Sequence, residues 1–183
     1  LGGTQKICFQ AARKHNFEHL VIFHGDDQPL ATDLLELIKV YENSTAAAVL
    51  GSRFSLQSRR VGYSLVRVLG NMGLNTIYSI LYLRKAVDLG SGLNIFRVTD
   101  FPDHDLAKFS GGFTFNMDLL LYIFRKNKKY KYVPITWREF DQVSNARNFR
   151  VGWQALKTAI LTRFNLSPCE SSPQFEYTVT EIK

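Results

Sequence analysis

The stretch Leu20-Val21-Ile22-Phe23-His24-Gly25-Asp26-Asp27-Gln28-Pro29 decides how this chain is understood. Four consecutive apolar residues, too short a run for a helix, mark a strand covered on both faces. A polar turn follows at once. Upstream, a helical pattern runs through Asn16, with Ile7, Cys8, Ala11 and Ala12 on one side. Downstream, residues 33–43 form a helix with Leu34, Leu37, Ile38 and Tyr41 on its core side, and Asp33 near the start suits the helix dipole. Residues 46–50 give a second buried strand, closing on Gly51-Ser52-Arg53. Across 61–83 the apolar residues wrap round more than one stripe, which predicts a helix broken near Gly70 or Gly73. A strand at 93–97, a helix at 116–126, a strand at 130–138 and an amphipathic helix at 152–164 complete the pattern. In the last helix Trp153, Leu156, Ile160 and Phe164 share a face, expected to pack on the core. Strands alternating with helices predict an α/β domain with a mainly parallel sheet. Ligands in such sheets sit beyond the carboxyl ends of strands, where the polar clusters after Phe23, Leu50 and Arg138 fall.

Composition sets the outer limits. The 183 residues are 45% hydrophobic and 21% charged, which fits one soluble domain and excludes disorder or collagen-like order. Two cysteines, Cys8 and Cys169, cannot build a disulfide scaffold or a four-ligand zinc site, so a reducing, cytoplasmic setting is expected. No apolar run is long enough to span a bilayer. The net charge is +7; residues 168–183 contribute −2, leaving +9 on the rest. Such a body suits phosphate-bearing partners: nucleic acid, an anionic membrane or a phosphorylated substrate.

The turn His24-Gly25-Asp26-Asp27-Gln28 offers an imidazole, a carboxylate and an amide oxygen at i, i+2 and i+4. Those donors can converge on one divalent cation. Equally, the same residues make a polar turn capping the next helix.

At this point the chain resembles the family 2 glycosyltransferases of GT-A fold, in particular the polyprenyl-phosphate sugar transferases. Their strand, Asp-x-Asp-x-Gln turn and following proline are similar to residues 20–29 here, with His24 in place of the first Asp. Further elements follow in order: Gly51-Ser52-Arg53; Arg67-Val68-Leu69-Gly70-Asn71; Asn75; Asp88-Leu89-Gly90-Ser91-Gly92-Leu93; the run from Gly112-Phe113 to Leu119-Leu120; Val133-Pro134-Ile135 with Arg138; and Ser144-Asn145. Together they span roughly residues 1–150.

The resemblance implies a GT-A-like, mainly parallel sheet flanked by helices, with the family's opening strands expected before Leu1. It implies an inverting transferase moving a sugar from a nucleotide-diphospho-sugar to a polyprenyl phosphate or related membrane-glycan acceptor, at the cytoplasmic face of a membrane. By position, His24, Asp26 and Gln28 would hold Mn²⁺ or Mg²⁺, imidazole suiting Mn²⁺ better. Arg53, Arg67 and Asn71 would bind the acceptor phosphate, while Arg138, Ser144 and Arg147 would bind the donor. Asp26 and Asp88 would stand at the reacting centre, and Asn116 and Asp118 occupy places where the family has acids. Guanidinium suits such a site because it stays protonated and binds phosphate bidentately. The expected division is a catalytic domain over 1–150, a helix over 151–167, and a tail over 168–183 without regular structure.

Two rivals stand beside this. The departures at His24 and Asn145 suit a degenerate domain that binds sugar nucleotide without transferring it. A basic nucleic-acid binder would fit the charge, but the chain carries no helix-turn-helix, zinc or RNP signature, so no nucleic-acid partner is expected. The basic run at 125–131 suits a solvated loop or contact with anionic headgroups, and the helix at 152–164 suits the core or a membrane surface. Oligomeric state is left open.

Overall fold

A computed structural model describes residues 1–139 and 148–164. The elements run α1 (Gly2–Lys14), β1 (His19–Phe23), α2 (Ala31–Glu42), β2 (Ala48–Ser52), β3 (Arg59–Val61), α3 (Leu65–Tyr82), β4 (Leu93–Arg97), a 3₁₀ turn (Val98–Asp100), α4 (Asp103–Leu106), α5 (Phe115–Arg125), β5 (Tyr130–Pro134), β6 (Thr136–Arg138) and α6 (Asn148–Arg163). Four strands form a sheet in the order β1-β4-β2-β5, and β3 pairs with β6 in a separate two-stranded ribbon. The α/β class is as expected.

The sheet, however, is mixed rather than mainly parallel. β2 and β5 are parallel, whereas β4 lies between β1 and β2 and runs antiparallel to both. The cause is the route taken by residues 84–92. After α3 the chain climbs beside β5, where Tyr130 Oη donates to the Lys85 carbonyl at 2.9 Å and Tyr132 Oη to that of Asp88 at 3.0 Å. It thus enters β4 from the carboxyl end of β2 and must run the other way. Helix–strand alternation carries no record of that extra ascent.

Two cores flank the sheet. On one side Phe9, Ile22, Phe96, Phe101, Leu119 and Ile123 gather around α1 and α5. Within it Phe9, Phe96 and Phe101 stack with centroids 5.4–5.6 Å apart, a separation at which tilted rings attract. On the other side α2 inserts Leu37 and Tyr41 against Val49, Leu93, Ile95 and Val133, with Leu34 and Ile38 alongside, the face its spacing predicts. The central strand β2 is buried throughout. β1 is not: as an edge strand it exposes Val21 and Phe23, so the expectation of cover on both faces fails there.

Four helix and strand expectations also change. The strand expected over 130–138 divides after Pro134: β5 belongs to the main sheet, while β6 pairs Thr136, Trp137 and Arg138 with Arg59, Arg60 and Val61. α3 runs unbroken through Gly70 and Gly73, because nothing approaches either glycine and the helix loses only intrinsic propensity, about 1 kcal/mol each. α6 packs through Ala155 and Ala159, both fully buried, while Trp153 and Phe164 stay exposed. Small residues win that interface because the helices meet closely: Tyr78 Oη donates to the Ala155 carbonyl and Tyr82 Oη to that of Ala159, each at 2.9 Å. In α1, likewise, Ala12 is buried as expected, but Gln5 and Phe9 are buried with it in place of Ile7, Cys8 and Ala11.

Candidate functional site

β1 and β2 both run antiparallel to β4, so they end on the same side of the sheet. The turn after β1 and the Gly51-Ser52-Arg53 segment after β2 therefore share one rim. His24 is held there by a bond from its amide to the Gly92 carbonyl at 2.8 Å. Its ring lies so close to Gly92 that a Cβ on that glycine would stand 2.5 Å from Nδ1. Nδ1 also lies 3.9 Å from Asp26 Oδ2. Asp26 Oδ1 accepts from the Gln28 amide at 3.2 Å, and Asp27 takes a left-handed φ of 57°, which closes the turn. Arg138 ties down the far side of this turn, its amide donating to the Gln28 carbonyl at 2.9 Å and its guanidinium reaching Asp27 at 3.3 Å.

Burial pushes the His24 imidazole below its ordinary range; Asp26 opposes that shift and Arg53 reinforces it. A neutral imidazole is what a metal ligand requires. His24 Nε2 is buried with no hydrogen-bond partner, an orphan in want of one. By type, imidazole, carboxylate and amide oxygen suit a borderline cation such as Mn²⁺ better than Mg²⁺, and the nitrogen nearest Asp26 is Nδ1. Among the described residues no three His, Cys, Asp or Glu side chains group around one point, so a third protein donor would have to be Gln28.

The middle of the site is an ion pair. Asp88, fully buried, receives Arg53 Nε at 2.8 Å, its Nη2 at 2.7 Å and the Arg53 amide at 2.9 Å, while Nη2 also reaches the Gly90 carbonyl at 2.9 Å. Burial disfavours the Arg53 charge, but the Asp88 carboxylate outweighs it and drives the guanidinium further toward its protonated form. Around the guanidinium stand the rings of Trp137 at 5.1 Å and Phe54 at 5.3 Å. Two residues expected in separate roles, one gripping phosphate and one at the reacting centre, therefore hold each other.

Arg67 and Asn71 project from the first turns of α3 onto the same group. Arg67 pairs with Glu139 and lies over the Tyr63 ring at 4.8 Å. Asn71 Nδ2 donates to Tyr63 Oη at 3.1 Å. Tyr63 is thus the link between the two, and sequence reasoning missed it, along with Trp137 and Glu139. The one signal was position: Tyr63 follows Gly62, whose φ of +75° lets the backbone pass against the Glu139 carbonyl. Ser144 and Arg147 lie outside the described residues, as does Asn145 and the tail over 168–183.

Asn116 and Asp118 stand apart from one another. Asn116 packs against Gly90, behind the ion pair. Asp118 turns to the base of α1, accepting the Ser110 amide at 2.8 Å, and burial raises its carboxyl to about 6 against the pull of that bond and of Lys6.

No model of a known protein family matches the chain.

Proposed function

We propose that this chain is an inverting glycosyltransferase domain of GT-A type, taking a sugar from a nucleotide-diphospho-sugar to a polyprenyl phosphate or related membrane-glycan acceptor. One observation carries the reading: the His24–Asp26–Gln28 turn shares its rim of the sheet with Arg53, Arg67 and Arg138. Imidazole and carboxylate side by side suit a cation, and guanidinium groups suit phosphate.

In this proposal His24, Asp26 and Gln28 hold Mn²⁺ or Mg²⁺, which when bound supplies charge to neutralise the donor diphosphate as it leaves. Arg138 steadies the turn from behind and, with Ser144 and Arg147, faces the donor. Arg67 and Asn71 orient the acceptor phosphate, which is already ionised at neutral pH and needs no strong general base. Arg53 and Asp88 act as one unit: the carboxylate fixes the guanidinium plane, and the pair positions the rim on which Arg67 and His24 stand. Rate enhancement then comes from positioning and from charge stabilisation.

The test is transfer of labelled sugar from UDP- and GDP-sugars to a polyprenyl phosphate with Mn²⁺ present. Asp26→Ala is expected to lose transfer at least about a hundredfold while keeping its fold, the loss typical of removing one electrostatic contributor. Wild-type turnover in that variant refutes the metal assignment. The mutual neutralisation of Arg53 and Asp88 favours a second reading, a domain that binds sugar nucleotide without transferring it. Metal-dependent binding with no transfer to any acceptor would select it.

A further inference from the structure

α3 is turned inside out. Its polar side chains face the protein: Asn71 donates to Tyr63 Oη at 3.1 Å, Asn75 to the Val87 carbonyl at 2.6 Å, Ser79 Oγ accepts from the Ala86 amide at 2.9 Å, and Arg67 pairs with Glu139. The opposite side presents Leu65, Val66, Leu69, Met72, Ile77 and Ile80 to solvent, with Leu65, Leu69 and Ile80 78%, 70% and 67% exposed. At 100° per residue these six, with Gly70, Gly73 and Thr76, fill one arc of about 160° that contains no charge. The single hydroxyl in that arc is satisfied within the helix, Thr76 Oγ1 donating to the Met72 carbonyl at 2.9 Å. An apolar face of this extent marks an interaction surface.

The charge around it says what covers it. No Asp or Glu lies between Glu42 and Asp88, whereas six bases do: Arg53, Arg59, Arg60, Arg67, Arg84 and Lys85. Arg53 and Arg67 are paired inward, to Asp88 and Glu139. Arg84 is also turned inward, to Asn127 and the Lys128 carbonyl. The other three are exposed and flank the helix, Arg59 and Arg60 before its start and Lys85 after its end. An uncharged Leu/Ile face with basic residues at both ends is the chemistry of a helix lying in a lipid interface, apolar side in the acyl chains and cations at anionic headgroups. At 18 residues α3 is about 27 Å long, and no described helix is long and apolar enough to cross a membrane, so a bilayer would receive α3 along its surface.

We propose that α3 docks the protein flat on an anionic phospholipid surface. Docking of this kind holds whether or not the site transfers sugar. It would also set Arg67 and Asn71, on the inward side of the same helix, near the level at which a lipid-borne phosphate is presented.

The test is flotation of the full chain with vesicles of phosphatidylcholine, alone and with about one-third phosphatidylglycerol. Expected is binding to the anionic vesicles that weakens with salt and with loss of the anionic lipid. Leu69→Glu with Ile80→Glu should lower the partition at least about tenfold, and Arg59→Gln with Arg60→Gln about tenfold on anionic vesicles only. Thermal melts followed by circular dichroism check the fold; should the glutamate variant melt early, the surface arginine variant decides. Failure of the wild type to float, or partition unchanged in the arginine variant, overturns the proposal. So does a dimer in sedimentation equilibrium that the glutamate pair abolishes, since a second copy would then be the occupant.

Discussion

At the scale of single residues, Arg67 is the most exacting position. It is paired with Glu139 and stacked on Tyr63, so its guanidinium is held at the rim before any ligand arrives. Arg67→Ala is expected to raise the acceptor KM and lower kcat/KM for acceptor by about tenfold to a hundredfold, the cost of one charge-assisted phosphate contact, while nucleotide affinity stays near wild type. Steady-state kinetics with varied acceptor checks this; unchanged KM and kcat contradict it. That His24, Asp26 and Gln28 share one turn was legible in the sequence, because they recur at every second position directly after an apolar run. Trp137 and Glu139 were not, because each meets its arginine from a distant part of the chain and no local spacing records the meeting; Tyr63, though only four residues before Arg67, belongs to no motif that marks it. Nor could spacing reveal that Asp88 and Arg53, distant in sequence, would satisfy each other.

At the scale of elements, α2 was legible because Leu34, Leu37, Ile38 and Tyr41 form one stripe that has a single place to go. α3 was not. Its periodicity predicts a helix, but which side turns inward depends on hydrogen-bond partners supplied by Tyr63, Ala86 and Val87. The junction of α1 and α5 carries a charge cost that sets a pH dependence. There Asp118 is raised to about 6 from an ordinary 3.8 by burial, and Lys6 is lowered, burial again outweighing their mutual attraction. The folded state therefore binds this proton more tightly than the unfolded chain. Stability from this group is full below about pH 4 and is lost as pH rises through about 6, up to about 3 kcal/mol in all. Asp118→Asn keeps an oxygen for the Ser110 amide and should remove that fall. Urea denaturation of both proteins between about pH 4 and 8 measures it; parallel profiles contradict the assignment.

At the scale of the whole molecule, the alternation of strands and helices fixed the α/β class but not the strand directions. β4 runs antiparallel because residues 84–92 climb beside β5 before entering the sheet. That same path delivers Asp88 to Arg53, so the reversal of one strand and the assembly of the site are a single event. The +7 charge likewise resolves by place: Arg53 and Arg67 turn inward to the site and Arg84 to Asn127 and Lys128, while Arg59, Arg60 and Lys85 stand exposed beyond the two ends of α3. The proposed function requires the rim beyond β1 and β2 to bind a nucleotide-diphospho-sugar through a divalent cation. Calorimetric titration of the chain with UDP- and GDP-sugars, with and without Mn²⁺, tests it most directly. Binding of one nucleotide class that requires Mn²⁺ and is lost in Asp26→Ala is the predicted result; no Mn²⁺-dependent binding, or the same binding in Asp26→Ala, would contradict it.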